Sequence, residues 1–316
     1  MSALYEVIHR TEYRNSSPVL ISNQALHLQP RILDYQEVVT SEVLIHPRPA
    51  ERHMRFDYFG NPMTFFTIAE PHHSLRIDCR HEVIVQPRHY PKVEETPSWE
   101  FVDAQLRTET SKAALGTLEY CYPSPCVPFS LEVRDWCLPS FPAGRPVMEA
   151  ALELNHRIFT EFKFDPTATT VSTPLEEVMK KRRGVCQDFS HLAVAACRAM
   201  GIPARYVSGY LRTLPAPGEV HRFGADSSHA WFSFYCPGHG WIDLDPTNDK
   251  AVGDTYITLG WGRDYSDVSL IRGILSGGGD HGLYLSVNVQ RLDEEKEPEP
   301  AAAAAAGIEE KVPLPD

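Results

Sequence analysis

The sequence has no long apolar run, and this shortage excludes the class of membrane-spanning helical proteins. No stretch of the 316 residues approaches the roughly 18 uncharged apolar residues that a transmembrane helix needs. The opening residues, MSALYEVIHRTEYRNSS, carry a charge every few positions and lack the apolar segment of a secretory signal. We therefore expect a soluble, cytoplasmic protein with no membrane partner.

Basic residues are also scarce, because 30 lysines and arginines stand against 42 aspartates and glutamates, giving a net charge of −12. Half of this excess lies in residues 292–316, where eight acids accompany two lysines. The rest of the chain is mildly acidic and has no basic footprint for nucleic acid, so no such partner is expected. The range 292–316, with a Glu/Pro run and six consecutive alanines, is predicted to be a disordered tail.

Cysteine occurs seven times, an odd count that argues against a disulfide framework in a chain without a secretory signal. Cys121, Cys126 and Cys137 lie close together, but their spacing matches no zinc-binding pattern. We therefore predict reduced thiols, no metal site and no cofactor. The histidines of the first 95 residues show no metal-ligand spacing either and are expected at surfaces and strand edges: His9, His27, His46, His53, His72, His73, His81 and His89.

The pattern of apolar residues and turn signals predicts an α+β protein. Residues 1–95 contain short segments rich in β-branched and aromatic residues, separated by Gly, Pro and Asn, which is typical of an antiparallel β-sandwich. Residues 96–144 are predicted to be an irregular, partly helical connection. Residues 145–291 are predicted to form a catalytic core in which a cysteine-bearing helix packs on an antiparallel sheet, and residues 292–316 are the tail.

Cys186 differs from the other thiols in its position. It is predicted to lie in the first turn of a helix whose buried face is formed by Phe189, Leu192, Ala193, Ala196, Cys197 and Met200. The unpaired N–H groups and the dipole of a helix start stabilise a thiolate, and the same groups can stabilise an oxyanion. Gly184 would allow a substrate backbone to approach closely. The alternative is that Cys186 is only a small buried residue near a helix end.

A catalytic thiol needs a neighbouring base and a carboxylate that orients the base, and His229 and Asp245 can supply both. The strands 229–235 and 241–245 are predicted to form an antiparallel hairpin. If Tyr235 pairs with Trp241, Asp245 is the diagonal neighbour of His229. If Phe234 pairs with Gly240 instead, Asp245 faces His229 directly. Asp243 shares the same face, so alternation alone does not exclude it, although Asp245 is favoured.

Several motifs of this chain resemble those of the transglutaminase-like family. RGVCQDF (183–189), GIPARYVSGY (201–210), HAW (229–231) and WIDLDPTN (241–248) are similar to the transglutaminase-like core, and GRDYSDV (262–268) extends the likeness to its bacterial branch. The opening of the chain is similar to the β-sandwich module that precedes this core, with matches at His9, Thr11, Tyr13, Pro18-Val19, Pro30-Arg31, Asp57 and Phe59-Gly60-Asn61.

The resemblance implies a papain-like fold of the core and a Cys-His-Asp triad formed by Cys186, His229 and Asp245. It implies a thiol enzyme that acts on a peptide, protein or other amide through a thioester, most closely a peptidase or amidase. Two alternatives stay open: a protein-glutamine acyltransferase, and a non-catalytic binding scaffold of the same fold. The calcium-binding modules and extra β-barrels of the animal cross-linking enzymes are missing from this sequence. Neither the substrate nor the oligomeric state follows from it.

Overall fold

Two antiparallel sheets, one short parallel pair of strands and a set of helices make up the part of the chain that the structure, a computed structural model, describes: residues 2–213, 227–293 and 309–310. The strands are β1 (Ala3–Leu26), β2 (Gln36–His46), β3 (Glu51–Phe56), β4 (Pro62–Ile68), β5 (His72–Val85), β6 (Lys163–Phe164), β7 (Arg183–Gly184), β8 (Ala204–Leu211), β9 (Ser227–Cys236), β10 (Gly240–Asp245), β11 (Lys250–Ala251), β12 (Tyr256–Gly262), β13 (Ile271–Gly277), β14 (His281–Arg291) and β15 (Glu309–Glu310). The helices are α1 (Trp99–Thr108), α2 (Lys112–Leu118), α3 (Leu131–Cys137), α4 (Val147–Glu161), α5 (Leu175–Lys181) and α6 (Cys186–Ala199). The predicted tail therefore lies almost entirely outside the described residues.

The long strand β1 organises the N-terminal sheet because it belongs to both of its layers. Its first half pairs with β5 and β14, and its second half pairs with β4 and β13, with a shift of register after Arg14. Val43 of β2, Ile77 of β5 and Phe66 of β4 are buried in one apolar cluster, so the two layers pack face to face. This arrangement matches the antiparallel β-structure expected for the N-terminal region.

The strands β13 and β14 lie in the sequence range assigned above to the catalytic core, yet they hydrogen-bond to β1 of the N-terminal sheet. Val287 and Val289 of β14 are buried together with Tyr5 and Val7 of β1. β14 therefore covers an edge and an apolar face of β1 that the first 95 residues would leave open to water. The N-terminal sheet is completed by residues from the other end of the chain.

The core sheet has five strands in the order β11-β10-β9-β8-β12. Helix α6 packs on β8 and β9, with Phe189 and Leu192 against Phe232 and Phe234 in the main apolar cluster. The six residues predicted to form the buried face of α6 are all buried. The predicted α+β fold, with a cysteine-bearing helix packed on an antiparallel sheet, is confirmed. Within the described ranges no helix is long and apolar enough to cross a membrane.

Four N-terminal histidines expected at surfaces are buried instead: His9, His27, His72 and His81. His9 Nδ1 lies 2.9 Å from the hydroxyl of Tyr210 on β8, so this imidazole joins the two sheets. Burial, reinforced by His81, lowers the pKa of His9 to about 3. A core tolerates a neutral imidazole that has two hydrogen bonds. The position of His9 in the sequence does not reveal that its side chain joins the two sheets.

Candidate active site

The start of α6 presents Cys186 together with free backbone donors. Val185 is the last extended residue, and its N–H donates to the Asp188 carboxylate at 2.8 Å. The first backbone bond of the helix runs from the Phe189 N–H to the Val185 carbonyl, at 3.1 Å. Within the described part of the chain, the N–H groups of Cys186 and Gln187 have no acceptor. Such unpaired donors are the expected property of a helix start.

Gly184 has a different role from the one predicted. A Cβ atom placed on Gly184 would lie 2.6 Å from Oδ2 of Asp188, so the space beside this glycine is filled by the protein's own carboxylate rather than kept for a substrate. The same Oδ2 accepts a hydrogen bond of 2.7 Å from the Thr169 hydroxyl. Burial raises the pKa of Asp188 although these hydrogen bonds act to lower it. Asp188 and Gly184 therefore fix the turn that precedes Cys186.

The hairpin of β9 and β10 adopts the first of the two registers considered above, since Trp241 pairs with Tyr235 and Asp243 with Ser233. Asp245 is thus a diagonal neighbour of His229. His229 Nε2 lies 2.7 Å from Asp245 Oδ2. The His229 side chain is 8% exposed and the Asp245 side chain is fully buried, so this ion pair is shielded from water.

Asp245 is held as an acceptor by neighbours on its own turn and on β12. Its carboxylate accepts hydrogen bonds from the Thr247 N–H at 2.8 Å, the Asn248 side-chain amide at 2.7 Å and the Tyr256 hydroxyl at 2.6 Å. Burial alone would raise the pKa of Asp245, but the bond to His229, the charge of His229 and these other donors lower it overall. Asp245 is therefore an ionised carboxylate. Sequence reasoning missed Tyr256, because no local pattern links β12 to this turn.

Asp243, the rival carboxylate, is engaged elsewhere. It forms a buried ion pair with Arg88 and accepts a hydrogen bond from the Trp231 indole N–H at 3.2 Å. Arg88 follows the last strand of the N-terminal region, so that region supports the return strand β10 directly. Of the rival histidines, His239 is exposed and pairs with the Glu95 carbonyl at 3.2 Å, and His221 lies outside the described residues.

The remaining predicted residue, Cys186, acts on the same imidazole. Nε2 of His229 is bound to Asp245, so Nδ1 is the nitrogen that stays available to another partner. Burial alone would lower the pKa of His229, but hydrogen bonds to Asp245 and Cys186, together with the charges of both groups, raise it to about 10. The structure thus pairs His229 directly with Asp245 and places Cys186 near enough to His229 to raise its pKa. The part of the chain described here contains no group of residues arranged to hold a metal ion.

We predict that His229 stays protonated through neutral pH in the resting protein and loses its proton near pH 10. This pKa lies above the ordinary pKa of ~6.5 of a histidine in the unfolded chain. The ion pair of His229 with Asp245 therefore stabilises the fold fully below about pH 6.5. That contribution is lost as the pH rises through about 10. NMR titration of labelled imidazoles measures this directly. His191, whose pKa burial lowers to about 4, is the internal control and is expected to be neutral at pH 7. A neutral His229 at pH 7 would contradict the ion pair.

Comparison with known proteins agrees with this architecture. Residues 141–246 match the transglutaminase-like superfamily, and residues 5–84 match the bacterial transglutaminase-like N-terminal region. An uncharacterized protein of Mycobacterium tuberculosis is 40% identical over 278 residues, which cover 86% of this chain and 87% of that protein. A protein-glutamine gamma-glutamyltransferase of Pseudomonas aeruginosa is 34% identical over 101 residues, which are 31% of this chain and 14% of that enzyme.

The fold is also found in a solved structure. A protein of Cytophaga hutchinsonii, provisionally named a cysteine protease, superposes with a TM-score of 0.75 at 18% identity and covers 97% of this chain and 96% of its own. At that identity the likeness concerns the fold alone. The two family matches cover the N-terminal sheet and the sheet-and-helix core in the order that the structure shows. The chain therefore belongs to the transglutaminase-like superfamily, with the bacterial transglutaminase-like N-terminal region in front of the core.

Proposed function

We propose that this protein is a thiol enzyme that cleaves or transfers an acyl group through a thioester on Cys186. The observation that carries the proposal is the buried His229, which lies 2.7 Å from the carboxylate of Asp245 and whose pKa is raised by that carboxylate and by the nearby Cys186. Desolvation would discharge an imidazole without such partners. A protonated imidazole beside a thiol at a helix start is the arrangement that keeps sulfur in its nucleophilic, anionic form.

In the proposed reaction the Cys186 sulfur attacks the carbonyl carbon of an amide, and the carbonyl π electrons move onto oxygen. The oxygen then re-forms the double bond, the C–N bond breaks, and His229 gives its proton to the departing nitrogen. A thioester and a free amine result. The sulfur is now neutral, so one of the charges that raised the pKa of His229 is gone and the imidazole can act as a base. It removes a proton from the attacking water, and the thiolate leaves.

Hydrolysis of a peptide or another amide is the preferred outcome, and acyl transfer to an amine is the alternative. Transfer is favoured by the local likeness to the Pseudomonas protein-glutamine gamma-glutamyltransferase. Hydrolysis is preferred because its acceptor, water, is present at high concentration without a dedicated binding site. The partial exposure of Cys186 leaves room for either acceptor to reach a thioester. Adding a primary amine to the acylated protein separates the two outcomes by the product that forms.

Selective alkylation tests the proposed activation of Cys186. At pH 6, iodoacetamide is expected to label Cys186 at least about 10-fold faster than Cys121, because only a thiolate reacts and Cys186 has an imidazolium partner. Cys121 is a matched control, since it is also partly exposed, while burial and the charge of Asp103 raise its pKa to about 12. Peptide mass spectrometry gives both rates. Equal rates would favour the binding-scaffold alternative.

A cytoplasmic location is part of the proposal and is supported by the seven cysteines, all of which are free thiols. A peptide or protein amide is proposed as the partner on the same chemical grounds as the reaction. Cell fractionation with thiol-trapping reagents tests the location. Thiols that are oxidised when trapped in intact cells would contradict it.

A further inference from the structure

Beside Cys186 lies a buried tyrosine that the proposed mechanism does not yet use. Tyr206, on β8, is only 3% exposed and is buried with Ala230 and Val268, and Cys186 and Tyr265 pack against the same cluster. Ala230 directly follows the catalytic candidate His229 in the chain. Tyr206 is therefore a neighbour of the thiol on the side formed by the core sheet.

The ring of Tyr206 is fixed by other rings. The His191 imidazole lies with its centroid 4.9 Å from the Tyr206 ring, and the Tyr265 ring lies 6.1 Å away at a steep angle. His191 is itself held, because its Nε2 accepts a hydrogen bond of 3.1 Å from the Tyr265 N–H. A ring held in this way presents its hydroxyl in one place, without the cost of ordering a mobile side chain at the moment of reaction.

The Tyr206 hydroxyl has no hydrogen-bond partner among the described residues, which is unusual for a buried phenol. Two other fully buried tyrosines have partners: the hydroxyl of Tyr210 pairs with His9 at 2.9 Å, and that of Tyr256 donates to Asp245 at 2.6 Å. The Tyr206 hydroxyl is not among the buried side-chain atoms that are both fully enclosed and unpaired, so this unpaired oxygen keeps some exposed surface.

The phenol and the sulfur are neighbours, because Cys186 packs against the cluster that contains Tyr206. Burial chiefly, and then the charge of Cys186, raise the pKa of Tyr206 well above its ordinary value, so the phenol stays protonated and can donate. The two groups are close enough for their charges to interact, yet they do not hydrogen-bond to each other. The carbonyl oxygen of an acyl group bound to the sulfur would therefore lie near the phenol.

We infer that Tyr206 is a catalytic residue that donates a hydrogen bond to the oxyanion formed when Cys186 attacks a carbonyl group. This inference rests on the proposed function. The unpaired N–H groups at the start of α6 are the other donors, so a side chain from the sheet and the backbone of the helix would hold the oxygen from two sides. The negative charge that reaches this oxygen during attack returns to the carbonyl bond when the leaving group departs.

Two reagents that react with the same sulfur separate this role from a general effect on the thiol. Iodoacetamide alkylates Cys186 at a saturated carbon and forms no oxyanion, whereas p-nitrophenyl acetate acylates it through one. Tyr206→Phe is expected to slow the burst of p-nitrophenolate about 100-fold, the typical loss on removing one oxyanion donor. Alkylation is expected to change less than about twofold. Tyr210→Phe is the matched control, because it removes a buried hydroxyl from the same strand away from Cys186.

The outcomes of this experiment distinguish failure of the Tyr206 role from failure of the proposed function. An unchanged acylation rate in Tyr206→Phe, or an equal slowing of acylation and alkylation, would overturn the role of Tyr206. Slow alkylation of Cys186 in the unmodified protein would instead overturn the proposed function. Because the lost hydroxyl makes no hydrogen bond to the residues that the structure describes, Tyr206→Phe is expected to unfold at a temperature no lower than that of the unmodified protein. Tyr206→Met, which also lacks the hydroxyl, is the second variant should Tyr206→Phe fail to fold.

Discussion

Replacing Cys186 by alanine is expected to lower kcat for p-nitrophenyl acetate at least about 10⁴-fold. No other group in the site is available to take up the acyl group, since His229 and Asp245 are buried in an ion pair and Tyr206 stays protonated. The side chain is small and partly exposed, so the free energy of unfolding should change by less than about 1 kcal/mol. Steady-state release of p-nitrophenolate and thermal unfolding measure the two effects.

Cys121→Ala is the control for this experiment, because it removes a thiol of similar exposure that lies apart from the His229–Asp245 pair and contacts the Gly201 carbonyl at 3.6 Å. It is expected to keep full turnover. If Cys186→Ala retained a tenth of the activity, the nucleophile would have to be another residue.

Replacing Asp245 by asparagine is expected to lower kcat about 10³-fold. The corresponding change in a serine triad costs about 10⁴-fold, and the loss should be smaller here because a thiol is a better nucleophile than a hydroxyl without full assistance. A neutral amide also removes the charge that helps to raise the pKa of His229, so less imidazolium is present beside the thiol. The charge-assisted bonds from Tyr256 and Asn248 weaken too, and we expect a loss of about 2–3 kcal/mol of stability.

Asp243→Asn separates the loss of activity from the loss of stability. Asp243 lies two residues earlier on the same strand and is also buried in an ion pair, in this case with Arg88. Its replacement is expected to reduce stability by a comparable amount while lowering kcat less than about 10-fold. Activities are compared well below both unfolding temperatures. Equal losses of kcat in the two variants would mean that Asp245 acts only through the stability of the hairpin.

The features of the site that the sequence predicted are those governed by local patterns. The apolar stripe of α6 fixed the helix and hence the position of Cys186 at its first turn. Strand alternation placed His229 and Asp245 on one face of a hairpin, but it allowed two registers and left Asp243 as a rival. In the structure Tyr235 pairs with Trp241, which gives the register of the hairpin. Arg88 from the N-terminal region forms an ion pair with Asp243, so this carboxylate is engaged away from His229. Nothing in the local pattern of β10 could show that partner.

Other features depend on contacts between distant parts of the chain and could not be read from periodicity. Strand β14 pairs with β1 across more than two hundred residues of sequence, so its alternation predicts a strand but not its sheet. The prediction that Gly184 makes room for a substrate was wrong for a similar reason, because the Asp188 side chain folds back over the glycine. Tyr256 reaches Asp245 from β12, and no local pattern of the sequence links that strand to this turn.

The most direct test is to find where an acyl group is attached. Brief reaction with p-nitrophenyl acetate, acid quenching and peptide mass spectrometry should reveal one acetyl group on the peptide that contains Cys186. The adduct should be absent in Cys186→Ala and form far more slowly in Asp245→Asn. Release of p-nitrophenolate at the unmodified protein's full rate with the acetyl group on a different side chain, or with no covalent adduct at any time, would contradict a nucleophilic Cys186.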